Sequence, residues 1–235
     1  MLIYNVEKGW NCMENMKGRT KQKIVKFLEI EDIKKLEEPL TNTVKSALNK
    51  EVLTATDKIA IRDFAVISLV YACALRISEA CKLELKDVDL DKKEMIVFDG
   101  KGGDRYVPIP EPTIKILKEW LEIRPNWNNN PYFFTNIKGT TRPGEIRPIT
   151  SKYYNQLFNK LATITGVKLK DGKNPHPHTL RHSRAMEIYD NDIELEIIQM
   201  LLGHKNISTT QIYARVRDEK VMKAQQAITK GLVTI

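Results

Sequence analysis

The stretch from Asp57 to Ala74 constrains the fold more than any other part of the chain. Its apolar residues recur at helical spacing, and Ile59, Phe64 and Ile67 contribute to one broad apolar face. Beyond Phe64 the stretch is apolar on nearly all sides, which is typical of a buried helix rather than a surface helix. We therefore predict a central helix over 57–74 that the other elements surround.

The rest of the chain is predicted to be mainly helical with one small sheet. Alternating residues on either side of a glycine-rich turn predict a hairpin with strands at 94–98 and 105–109, and a short strand is predicted at 132–134. Further helices are predicted at about 30–38, 41–50, 78–85, 111–122, 150–164, 178–189, 193–201, 208–214 and 217–229. The predicted fold class is mainly α (α+β), with one small antiparallel sheet.

Charge favours a polyanionic partner. The formal net charge is +8 and the isoelectric point is near 9.2. Residues 135–190 hold ten Lys or Arg residues and only four acidic ones, so this part alone contributes +6. A solvated basic face and a surface for a phosphate backbone both fit this excess.

Several classes of protein fit the composition poorly. The sequence contains no uncharged apolar run near the roughly 20 residues that span a bilayer. The first residues lack the pattern of a signal peptide. Three cysteines, Cys12, Cys73 and Cys81, show no paired spacing, so we expect reduced thiols in a cytoplasmic protein.

All four histidines lie within residues 176–204, in the basic half of the chain. His178 and Arg181 are one helical turn apart and share a face, at a helix start whose free N–H groups can meet an anion. Surface residues at a helix start remain the alternative. His178 and His182 have the i, i+4 spacing of metal ligands, but no Glu lies between them and no Cys is near. We therefore expect no metal ion.

Two basic residues, Arg76 and Lys101, fit both a structural and a functional interpretation. Arg76 follows the apolar helix directly, where a guanidinium is costly unless it is paired or faces a cleft, and Glu79 lies three residues on. Lys101 lies in the glycine-rich turn of the hairpin, where flexibility would let it swing into a site. A structural Arg–Glu pair and a solvated turn lysine are the alternatives.

The segment from Leu201 to Tyr213 contains a glycine, a histidine and a tyrosine in close order. Gly203 is predicted to end one helix, and Ser208 is a candidate N-cap for the next. Tyr213 then fits two interpretations, a nucleophile beside the phosphate-binding His204 or a core tyrosine with a bonded hydroxyl.

Taken together, these segments resemble the tyrosine recombinase (phage integrase) family, closest to its Xer-like and phage or transposon integrase members. The segments that match, in the family's order, are Ala74-Leu-Arg76-Ile-Ser-Glu79, Gly100-Lys101-Gly-Gly, His178-Thr-Leu-Arg181-His182, and Leu202-Gly-His204 with Tyr213. The resemblance begins near residue 27, so 27–235 is predicted to be a catalytic domain. Residues 1–26 are predicted to be a tail or linker remnant without the family's usual core-binding domain.

The resemblance implies site-specific cleavage and rejoining of DNA strands. Tyr213 would attack a phosphodiester and form a covalent 3′-phosphotyrosyl bond that conserves the bond energy, so no ATP, metal or other cofactor is required. Arg76 and Arg181 would clamp the non-bridging phosphate oxygens.

The remaining roles also follow from the resemblance. Lys101 would protonate the departing 5′-oxygen, His178 would assist proton transfer at the tyrosine, and His204 would donate to the phosphate. Glu79 and His182 would support them. The departure from the family pattern in the hairpin is Asp104, which lies where a further basic residue is common. Candidate contacts to the DNA backbone are Arg105, Arg142, Arg147, Lys152 and Arg184.

The implied partners are double-stranded DNA and further copies of the chain, a tetramer on DNA with a monomer in free solution, and no membrane. In the family the C-terminal element packs into a neighbouring protomer; docking on its own domain is the alternative for 217–229. We expect a cytoplasmic, nucleoid-associated protein encoded by a prokaryote or a mobile element. Competing functions are relaxation of DNA like that by type IB topoisomerases, a non-catalytic DNA-binding regulator, and a metal-dependent rolling-circle nuclease.

Overall fold

The computed structural model describes residues 26–98, 104–126, 129–137, 148–191 and 193–203. Within these ranges the chain forms seven α-helices and a three-stranded antiparallel sheet. The elements are α1 (Ile30–Leu48), α2 (Ala55–Ala72), α3 (Ile77–Lys82), β1 (Val88–Asp89), β2 (Glu94–Val97), β3 (Arg105–Pro108), α4 (Glu111–Ile123), α5 (Ser151–Thr165), α6 (Pro177–Asp190) and α7 (Leu195–Leu202). The predicted fold class is confirmed.

Helix α2 is the central helix that the apolar stretch predicts. Thr54 begins it with a capping box, in which Thr54 Oγ1 accepts from the Asp57 N–H (3.2 Å) and Asp57 Oδ2 accepts from the Thr54 N–H (2.9 Å). Hydrogen bonds from Lys50 and Thr54 lower the pKa of Asp57 to about 2, so the cap stays ionised. Helix α2 packs against α1, α3, α4 and α6, and most of its length is buried.

The predicted break between two short helices at 30–38 and 41–50 is wrong. A single helix, α1, runs through Pro39. An interior proline removes one backbone hydrogen bond and costs about 3 kcal/mol. The buried residues Leu36, Leu40 and Val44 lie on one face of α1, and their packing against the rest of the core offsets that loss.

The sheet confirms the predicted hairpin. Strands β2 and β3 pair with Val97 opposite Arg105 and Met95 opposite Val107, and β1 adds a short third strand. The predicted strand at 132–134 is reduced to one isolated bridge between Tyr132 and Glu84. Extension of a ladder is limited there because the segment turns inward, where the side chains of Phe133 and Phe134 are fully buried.

The C-terminal helices have clear sequence signals at their ends. Pro177 is at the first position of α6, where its missing N–H removes no helical bond. Gly166 ends α5 and Gly203 ends α7, both in the left-handed conformation that glycine adopts without strain. Helices α6 and α7 share a second small core that consists of Phe27, Ala74, Ala185, Met186, Ile198 and Leu202.

Several predicted features lie outside the described residues. They are the tail before residue 26, the turn that carries Lys101, the basic residues Arg142 and Arg147, the start of the final segment at His204, and the predicted helices at 208–214 and 217–229 with Tyr213.

Candidate functional site

The candidate site begins at the sharp turn between α2 and α3. Ala74 is fully buried and has a φ of 50°, a left-handed conformation that costs a residue with a side chain about 1–2 kcal/mol. Its carbonyl accepts a hydrogen bond from Arg181 Nη1 at 2.9 Å. The strained turn therefore places Arg76 at the start of α3. It also directs the Ala74 carbonyl toward the Arg181 guanidinium of α6.

Glu79 is the centre of the site. Its carboxylate accepts from Arg76 Nη1 at 2.6 Å and from the Arg76 backbone N–H at 2.8 Å. Arg105 reaches the same carboxylate with two nitrogens, at 2.9 and 3.2 Å, and Arg181 Nη1 lies 3.8 Å from Oε2. One buried carboxylate thus joins three arginines from three elements.

The protonation state of Glu79 fits this position. Burial alone would raise the pKa of its carboxyl, but the hydrogen bonds and charge of Arg105, with those of Arg76 and Arg181, hold the pKa below its ordinary value. Glu79 is therefore ionised at neutral pH. Its single negative charge leaves the three guanidinium groups with two positive charges in excess, which suits the binding of an anion.

Arg181 and Arg76 differ in exposure. The side chain of Arg181 is 1% exposed, and it donates to the carbonyls of Ala74 and Leu202 as well as facing Glu79. The side chain of Arg76 is 34% exposed. Arg76 is therefore the arginine of the pair that an external ligand meets first, with Arg181 fixed behind it.

Two histidines extend the site along α6. The rings of His178 and His182 are in edge contact, with centroids 4.4 Å apart, and His178 is exposed. The ring of His176 stacks parallel to that of His178 at 6.4 Å, and burial, with the charge of Lys26, lowers the pKa of His176. Helix α6 thus presents imidazole groups one turn from Arg181.

Arg105 has a different position from the predicted one. We expected a DNA contact, but its side chain is 9% exposed, Nε donates to the Leu201 carbonyl at 3.0 Å, and the other nitrogens bind Glu79. Strand alternation could have indicated this, because Arg105 shares a face with the buried Val107 while Tyr106 points outward.

The other predicted DNA contacts are only partly described. Lys152 is exposed on α5. Arg184 is partly buried, and its Nη1 donates to Glu187 at 2.7 Å while the guanidinium lies 5.8 Å from the centre of the Tyr71 ring. Arg142, Arg147 and three predicted catalytic residues, Lys101, His204 and Tyr213, lie outside the described residues.

Comparison with known proteins decides the family. The model of the phage integrase family matches residues 15–220. The chain belongs to the phage integrase family. It is 34% identical over 176 residues to the tyrosine recombinase XerA of Pyrococcus furiosus, a match that covers 74% of this chain and 57% of the relative. It is also 34% identical over 211 residues to XerA of Thermococcus onnurineus, which covers 86% and 71%.

Two solved recombinase structures share the fold. A XerA recombinase structure matches with a TM-score of 0.63 and 25% identity over 84% of this chain and 64% of that one. A post-cleavage complex of XerH with palindromic difH substrate matches with a TM-score of 0.68 at 23% identity, over 91% and 57%. The chain thus spans less than two thirds of the length of both structures and of the P. furiosus relative.

The described residues offer neither a metal-binding cluster nor a membrane-spanning helix. No three histidine, cysteine, aspartate or glutamate side chains in the described ranges form a group that could hold a metal ion. None of the helices described is both long enough and apolar enough to cross a membrane.

Proposed function

We propose that this chain is a site-specific DNA recombinase that cleaves and rejoins strands through a covalent bond between Tyr213 and a DNA 3′-phosphate. The observation that carries the proposal is the cluster in which Glu79 joins Arg76 and Arg181. Two arginines from distant parts of the chain meet there, at the positions where the family pattern has its phosphate clamp.

The proposed reaction needs neither a metal ion nor ATP. The Tyr213 hydroxyl oxygen attacks phosphorus, the bond from phosphorus to the 5′-oxygen breaks, and the tyrosine proton passes to His178 as general base. Lys101 gives a proton to the 5′-oxygen, which leaves as a hydroxyl. Rejoining is the reverse reaction with the 5′-hydroxyl of another strand, so the number of phosphodiester bonds is conserved.

Arg76 and Arg181 act on the phosphate itself. Their guanidinium groups bind the non-bridging oxygens, whose charge grows in the transition state, and His204 donates a further hydrogen bond. Because Glu79 and backbone carbonyls already hold both arginines, little ordering remains when DNA binds. Such preorganisation favours the transition state over the bound ground state.

The partner follows from charge and from the relatives. The net charge of +8 attracts a phosphate backbone, and XerH is a family member solved with its difH DNA substrate. Double-stranded DNA as the substrate, a tetramer on that DNA, and a cytoplasmic, nucleoid-associated location are parts of the same proposal. Lys152, with Arg142 and Arg147, is proposed to contact the backbone.

A trapping experiment tests the proposal and identifies the target DNA site at the same time. The chain is incubated in EDTA with a pool of duplexes that carry a nick beside a randomised segment, so that the short cleaved fragment diffuses away and rejoining is blocked. We expect a covalent protein–DNA adduct with the wild type and none with Tyr213→Phe, which should bind the recovered duplexes as tightly.

Three results would overturn the proposal. An adduct that persists in Tyr213→Phe would show that the nucleophile is another residue. Binding without any adduct across the whole pool would favour a non-catalytic regulator, and an adduct that forms only when Mg²⁺ replaces EDTA would favour a metal-dependent nuclease.

A further inference from the structure

We infer that Arg105 is a positioning residue, which holds the end of α7 at a fixed spacing from the arginine clamp formed by Arg76 and Arg181. The inference rests on the proposed function and replaces the predicted DNA contact of Arg105. Arg105 donates hydrogen bonds to Glu79 and to Leu201, which lie on distant elements, and Gly203 packs against its side chain.

The hydrogen bonds of Arg105 are all internal. Its two terminal nitrogens bind both oxygens of Glu79, and Nε binds the Leu201 carbonyl near the end of α7. A guanidinium suits this task because its donors point in fixed directions within one plane, so one side chain can hold two acceptors at a set angle. All three guanidinium nitrogens of Arg105 therefore have acceptors inside the protein.

The elements that Arg105 connects are distant in sequence. It is the first residue of β3, directly after the hairpin turn with Lys101, and it lies 26 residues from Glu79 and 96 from Leu201. The carbonyl of Leu202, the next residue, accepts a hydrogen bond from Arg181 Nη2. The end of α7 is therefore tied to the clamp by two arginines through two successive carbonyls.

The backbone at Gly203 lies close to the Arg105 side chain. A Cβ built on Gly203 would lie 3.0 Å from Arg105 Nη1 and 3.1 Å from its Cδ. The backbone at the end of α7 thus packs directly on the Arg105 side chain, immediately before His204 in the sequence. A shift of Arg105 would move both Glu79 and the point from which the chain continues to His204 and Tyr213.

The role can be separated from a DNA contact by comparing Arg105→Met and Arg105→Lys with the wild type. Arg105→Lys keeps the charge but cannot hold two acceptors in one plane. For both variants we expect adduct formation at saturating DNA to slow by about 10- to 100-fold, as misplaced catalytic groups do. The dissociation constant for DNA and its salt dependence should stay as in the wild type.

Arg124→Met is the matched control. Arg124 also donates to backbone carbonyls, those of Asn130, Tyr132 and Phe133, but it lies away from the Glu79 cluster. Its loss should lower stability without slowing adduct formation at saturating DNA. Equal slowing in Arg124→Met and Arg105→Met would mean that only general loss of stability was measured, and it would overturn the positioning role.

Hydrogen exchange gives a readout that does not depend on activity. In Arg105→Met, amide exchange at the end of α7 should accelerate, whereas Arg124→Met should leave it unchanged. Unchanged exchange in Arg105→Met overturns the inference, as does weaker DNA binding with a salt slope reduced by about 1, which marks a lost phosphate contact. If the wild type forms no adduct but exchange accelerates as expected, the proposed function fails while the link from Arg105 to α7 stands.

Discussion

At the scale of single residues, the site depends on one carboxylate. Glu79 is buried and is the acidic partner of Arg76, Arg105 and Arg181. Without it, three guanidinium groups would face one another with no compensating charge, which is strongly unfavourable away from water. The same residue caps α3 through the Arg76 N–H, so local structure and charge balance have a common origin.

Glu79→Gln tests this dependence. Because it leaves buried arginines without a countercharge, we expect the free energy of unfolding at neutral pH to fall on the order of 3 kcal/mol, the low end for a broken buried ion pair since Arg76 reaches solvent. Adduct formation should slow as well. Denaturant unfolding of the two proteins measures the difference, with the exposed Glu119→Gln on α4 as control.

The difference in the free energy of unfolding between the wild type and Glu79→Gln should depend on pH. The pKa of Glu79 is lowered in the folded state, so its stabilisation is present above the ordinary value of 4.5 and is lost as pH falls through the lower folded value. The difference between wild type and Glu79→Gln should thus be full at neutral pH and shrink below pH 4.5. A difference that stays constant down to acid unfolding would contradict the role of the charge.

At the scale of elements, the end of α7 packs against the side chain of Arg105, which also binds Glu79. Helix α7 ends at Gly203 with a φ of 64°, and that backbone lies against Arg105. Gly166 ends α5 in the same conformation, at φ 71°, but a Cβ there would meet nothing within 4 Å. The two glycines are therefore a natural pair for separating backbone strain from contact with the site.

Gly203→Ala and Gly166→Ala should differ in activity more than in stability. Each places an alanine in the left-handed region, so each should lower the free energy of unfolding by about 1–2 kcal/mol. Only Gly203→Ala also displaces Arg105, and only this variant should slow adduct formation at saturating DNA. Equal activity in the two variants would show that the Arg105 contact does not matter.

At the scale of the whole molecule, the elements with strong local patterns could be predicted from the sequence, and those that depend on packing could not. Helix α2 and the hairpin were predictable because their periodic patterns are local and strong. Helix α1 was not, because the rule that proline ends a helix is local and core packing on the far side of Pro39 overrode it. The motifs gave the site's residue types and suggested the local pair of Arg76 and Glu79, but not the long-range pairing.

The pairing was hidden because it is long-range. Arg181 binds the Ala74 carbonyl across 107 residues, and Arg105 reaches Leu201 across 96. A charged residue in a hairpin is usually on the surface, but the alternation of Arg105 with Val107 indicates an inward side chain. The second core, with Phe27 and Leu202 beside Ala74, likewise joins distant segments that no periodic pattern connects.

Mapping the trapped adduct shows whether the arginines held by Glu79 serve a covalent bond between Tyr213 and DNA. The adduct is digested with protease and nuclease, and the modified peptide is sequenced by mass spectrometry. We expect a nucleotide joined through its 3′-phosphate to Tyr213, with a free 5′-hydroxyl on the released strand. A 5′-phosphate linkage, or a nucleotide on any other residue, would contradict it.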